Sequence, residues 1–109
     1  MSEPDWWQRA RALEALGRLE EAEAAITDAV PHIGAPASVA TLHAERMRRL
    51  QAAGDVEGAR EARRRAEQWI TYYASLATSG GEGLALSRER DAFLAALGRE
   101  PAGPPPSEP

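Results

Sequence analysis

The 109-residue chain has no cysteine, no lysine and no asparagine, and only one phenylalanine. Without cysteine there is no disulfide, no thiolate nucleophile and no zinc–thiolate site. Basic charge is scarce relative to acid: 13 arginines face 17 acidic residues, for a net charge of −4. Nucleic-acid binding draws on an excess of cations that displaces counterions, so that function is disfavoured. A basic membrane-surface helix is disfavoured on the same ground. No apolar run approaches the length of a membrane span. The opening Met1-Ser2-Glu3-Pro4-Asp5 is acidic and lacks an apolar signal core, and the all-arginine complement fits a GC-rich coding bias. The expected location is therefore a bacterial-type cytoplasm.

What is present is alanine, leucine and arginine, cut into pieces by glycine and proline. Apolar residues make up 43% of the chain, and they recur at helical spacing rather than in alternation, which predicts an all-α domain without strands. A first helix, capped by Ser2 with Pro4 in its opening turn, carries Trp6, Trp7, Ala10, Leu13 and Leu16 and ends at Gly17. A second begins near Leu19 and carries Ala22, Ile26, Ala29 and Val30. A third opens at Pro36 or Ser38, carries Val39, Leu42, Met47 and Leu50, and ends at Gly54. Asp55 caps a fourth that reaches about Ala77 through Ala59, Ala66, Trp69, Ile70, Tyr73 and Leu76. Thr78-Ser79-Gly80-Gly81 reads as a flexible break. A fifth helix starts between Glu82 and Ser87 and closes at Gly98. The domain is expected to span 1–99, followed by a Pro-rich disordered tail over 100–109.

The chain repeats itself. Gly17-Arg18-Leu19-Glu20-Glu21-Ala22 superposes without a gap on Gly54-Asp55-Val56-Glu57-Gly58-Ala59, 37 residues on. A second alanine follows seven residues later in each, at Ala29 and Ala66, which puts each alanine pair on one helix face, where a partner helix is expected to approach. Leu94-Ala95-Ala96-Leu97-Gly98-Arg99 echoes Leu13-Glu14-Ala15-Leu16-Gly17-Arg18. This pattern resembles the tetratricopeptide repeat family, clearly over residues 5–67 and less so over 84–99. The spacings of 37 and 44 residues between Gly17, Gly54 and Gly98 depart from that family's period of about 34. So do His43, where an aromatic is usual, and Arg63, where a large apolar residue is. The resemblance implies two helix hairpins plus a C-terminal capping helix in a right-handed α-solenoid stack. The alternative is a plain antiparallel bundle whose glycines only terminate helices.

The resemblance also implies a role: a non-catalytic protein- or peptide-binding adaptor, with the first helix of each pair lining a concave face. The residues it assigns to that face are Trp7, Gln8 and Arg11, then Thr41, Glu45 and Arg48, then Arg88 with Glu89. Arg11 and Arg48 occupy matching places and are expected to form a ladder able to take a carboxylate, from an acidic segment or a chain's C-terminus. The family's best-known carboxylate clamp uses lysine and asparagine, which this chain lacks. Of the adjacent Trp6 and Trp7, either one packs and the other lies at the surface, or both pack partially near the chain end. Trp69, Tyr73 and Leu76 are expected to pack against the fifth helix, with a homodimer contact as the alternative. His32 and His43 have no partner at metal-ligand spacing, no serine or glycine motif supports catalysis, and no cofactor is expected.

Overall fold

The computed structural model describes residues 4–29, 34–76 and 80–99, with backbone alone at 80–82 and 99. These residues form five helices and no strand: α1 (Asp5–Ala15), α2 (Leu19–Ala29), α3 (Ala35–Ala52), α4 (Val56–Ser75) and α5 (Gly80–Arg99). Pro4 occupies the cap position of α1, and its carbonyl accepts from the amides of Trp7 and Gln8. Pro36 lies in the first turn of α3, where its missing N–H costs no helical bond. The Asp55 carboxylate caps α4 by accepting from the Gly58 amide at 2.9 Å. The proposed Ser2 cap, Val30, Ala77, the Thr78-Ser79 half of the break and the 100–109 tail lie outside the described residues.

The repeat in sequence is a repeat in backbone geometry. At the end of α1 the Arg18 amide donates to the Leu13 carbonyl and the Gly17 amide to Glu14; at the end of α3, Asp55 donates to Leu50 and Gly54 to Gln51. Both sets are the two crossed bonds that close a helix on a left-handed residue. Gly17 and Gly54 supply it, at φ +79° and +81°. A Cβ at either glycine would meet no neighbouring atom. Gly54→Ala is therefore expected to cost about 1 kcal/mol through backbone strain alone, as measured by urea unfolding.

These turns fold α1 back on α2 and α3 back on α4, and the two hairpins meet through α2–α3 and α1–α3 contacts. Alanines mark the close approaches. Ala10 and Ala22 are fully buried with Ile26, Val39 and Leu42. Ala59, Ala62 and Ala66 are fully buried against Ala44, Met47 and Leu97. A third cluster joins Ala40, Ile70, Tyr73 and Leu86, so α3 and α4 together hold α5. The Tyr73 hydroxyl donates to Glu89 across the α4–α5 contact at 2.8 Å. Burial and the neighbouring Glu89 carboxylate push that phenol up to about 12.

Two expectations change. α5 begins at Gly80, so Gly80-Gly81 is helical rather than a break, and the helix runs through Gly98 to Arg99. Ala29, the last residue of α2, is exposed while its counterpart Ala66 is fully buried. Of the two arrangements expected for the tryptophans, the partial packing of both is the one found: Trp6 and Trp7 are each half-buried, edge to face with ring centres 5.9 Å apart. His43, the departure from the family's aromatic noted in the sequence, is completely buried.

Candidate partner-binding site

The α1–α3 contact brings three of the sequence-assigned residues together. Arg11 donates from Nε to Glu45 Oε1 at 3.1 Å and from Nη2 to Oε2 at 2.9 Å, a two-pronged pair across the helices. Its guanidinium also lies 5.1 Å from the centre of the Trp7 ring. Gln8 is exposed one residue beyond Trp7, and Arg48 is exposed one turn beyond Glu45. Thr41 is exposed on the same helix and turns its hydroxyl to the Ala37 carbonyl.

The expected arginine ladder is altered at Arg11. Arg11 already holds a carboxylate, that of Glu45. The side chains of this pair remain 41% and 36% exposed, so water competes with the contact and an incoming group can exchange for either member. Glu89 is committed to Tyr73. Arg88 is exposed on α5, and none of the interactions above links it to the Trp7–Arg11–Glu45 group.

Beside this face runs a chain of charges of which only the Glu61–Arg65 pair, one turn apart on α4, was readable from spacing in the sequence. Glu14 of α1, only 5% exposed, is gripped by both Nη atoms of Arg49. Arg46 reaches the same carboxylate at 4.0 Å and pairs with Glu61 of α4 at 3.1 Å. Arg65 spans Glu61 and Glu23. Oε2 of Glu23 is the shared acceptor for His43 Nε2 at 2.8 Å, Arg65 Nη1 at 3.1 Å and Trp69 Nε1 at 3.2 Å. Burial pushes the Glu23 carboxyl up, but the hydrogen bond and attraction of His43, with Arg65 and Trp69, outweigh it and hold the group below its usual range. Glu61 is likewise held low: its own burial opposes this, and Arg46 and Arg65 prevail. This network pins α1 to α3 and therefore sets where Arg11 meets Glu45. Its signal in the sequence is faint: Glu14 follows Leu13 at a core-facing step of α1, with arginines one repeat later.

Among the described residues no group of three or more acidic or histidine side chains is arranged to hold a metal ion. No described helix is long and apolar enough to cross a membrane. Neither the family models nor the curated proteins nor the solved structures compared with this chain match it.

Proposed function

We propose that the chain is a non-catalytic adaptor of tetratricopeptide-like architecture, a right-handed solenoid of two hairpins and a capping helix, that binds a protein or peptide along the α1–α3 face. The observation that carries this reading is the Trp7–Arg11–Glu45 group, an aromatic ring and an exchangeable ion pair on adjacent helices with Arg48 one turn away. The repeated glycine turns, 37 residues apart in sequence, support the hairpin architecture. An aromatic and arginines are the residue types that anchor protein interfaces. A partner carboxylate would replace Glu45 on Arg11 or add to Arg48, so an acidic segment or a chain's C-terminus is the favoured occupant. The proposed setting is the bacterial cytoplasm, with neither nucleic acid nor membrane as the partner.

Affinity capture from the source organism, with the wild-type chain and the Arg11→Glu and Arg48→Glu variants as bait, tests the reading. The partner bound by the wild type should be held at least about tenfold more weakly by each variant, the equivalent of losing about 1.4 kcal/mol. Equal capture by all three would remove the α1–α3 face from consideration. Self-association is the second reading, favoured by the outward side of α5, where Leu84 stands 54% exposed.

A further inference from the structure

We propose that the outward face of α5 docks, antiparallel, on the same face of a second copy of the chain. α5 packs Leu86, Phe93, Leu94 and Leu97 into the clusters it shares with α3 and α4. On the opposite side of the helix, Leu84, Arg88, Asp91 and Ala95 follow at steps of four, three and four, the spacing of one straight stripe. All four are exposed, and so is Ala92 beside them. The small side chains at 92 and 95 allow a second helix to come close.

Charge selects both the occupant and its direction. The stripe carries one cation and one anion a single turn apart. Around a twofold axis between Glu89 and Arg90, antiparallel helices set Arg88 of each copy opposite Asp91 of the other, and Leu84 of each opposite Ala95. A parallel pair would set Arg88 against Arg88 and Asp91 against Asp91. The face is therefore complementary to itself in one orientation, which is what a closed twofold dimer requires. Asp91 also meets Arg90 of its own chain at 3.1 Å, but its carboxylate can accept from two guanidinium groups at once. Such pairing assigns Arg88 to self-association rather than to the α1–α3 face, and it stands independently of what that face binds.

The absence of native cysteine makes the test clean. Leu84→Cys and Ala95→Cys are made singly and together in the full chain and exposed to a mild oxidant. The double variant should form a covalent dimer, because each Cys at 84 meets a Cys at 95 in the partner copy. Each single variant should stay monomeric, since like positions lie about 16 Å apart along the helix axis, far beyond disulfide reach. The same distance prevents a disulfide within one chain. Sedimentation of the chain without added cysteine should reveal a concentration-dependent dimer, weakened about tenfold or more by Arg88→Asp and restored by Arg88→Asp with Asp91→Arg. All these positions are exposed, and circular dichroism verifies that the variants fold. A chain monomeric at every concentration, a dimer indifferent to Arg88→Asp, or single variants that cross-link as readily as the double one would each overturn the proposal.

Discussion

Replacing Glu23 with alanine is expected to destabilise the fold by about 3 kcal/mol, the range seen when one member of a buried charged network is removed. In a domain of this length that lowers the melting temperature by roughly 15 °C. The reason is geometric. One carboxylate oxygen satisfies His43, Arg65 and Trp69. Nδ1 of the fully buried His43 already lacks a hydrogen-bond partner among the described residues, so without Glu23 the whole ring would be left unsatisfied. Glu23→Gln keeps the volume and an acceptor and should cost less.

The same group gives the fold an acid limit. The Glu23 carboxyl is held low in the folded chain, so it binds a proton more readily when unfolded. Its contribution is complete above the unfolded value, about 4.3, and is lost as pH falls through the lower folded value. Glu61 adds a slope of the same sign. Urea unfolding from pH 7 down to pH 3 should therefore reveal falling stability below about pH 4. Glu23→Gln should flatten that fall. A wild-type slope unchanged by the substitution would mean that the acid limit lies elsewhere.

The second large effect concerns the alanines. Ala66→Leu forces three extra carbons into the contact among Ala44, Met47, Ala59, Ala62 and Leu97, and should cost about 3 kcal/mol, at the upper end for overpacking. Ala29→Leu, the equivalent change in the first hairpin, falls on an exposed position and should stay within about 0.5 kcal/mol. Thermal unfolding of the two variants side by side measures the difference. Equal losses would mean that the two hairpins pack alike after all.

The helices were legible because their ends are chemically marked. A glycine closing a helix at positive φ and an aspartate accepting from the third amide beyond it have few alternatives, and Gly17, Gly54 and Asp55 behave as their surroundings suggest. The start of α5 was not legible. Two consecutive glycines each disfavour helix by about 1 kcal/mol, and local propensity reads them as a break; the helix nonetheless extends to Gly80, ahead of the packing of Leu86 on Tyr73 and Ile70. The difference between Ala29 and Ala66 was hidden for another reason. Repeat logic treats equivalent positions as equivalent, whereas α2 ends at Ala29 and α4 continues nine residues past Ala66.

The candidate site was legible in part. Trp7, Arg11, Glu45 and Arg48 were assigned by their places in the repeat, and the α1–α3 contact joins the first three. That Arg11 would already be occupied was not readable, because the pairing depends on how α1 is set against α3 rather than on spacing along either. The same holds for the buried charges, whose partners lie 35 residues apart for Glu14–Arg49 and 46 apart for Glu23–Trp69. A sequence displays which charges exist. Only the register between helices decides which of them meet.

The most direct test of the binding role is to titrate the isotope-labelled chain with its captured partner and follow the backbone and arginine Nε–H signals by NMR. Binding along the α1–α3 face predicts the largest changes at Trp7, Gln8, Arg11, Glu45 and Arg48, with the Arg11 Nε–H signal moving as Glu45 is exchanged for a partner group. Changes confined to α5 or to the outer side of α4, with the Arg11 signal fixed, would contradict it.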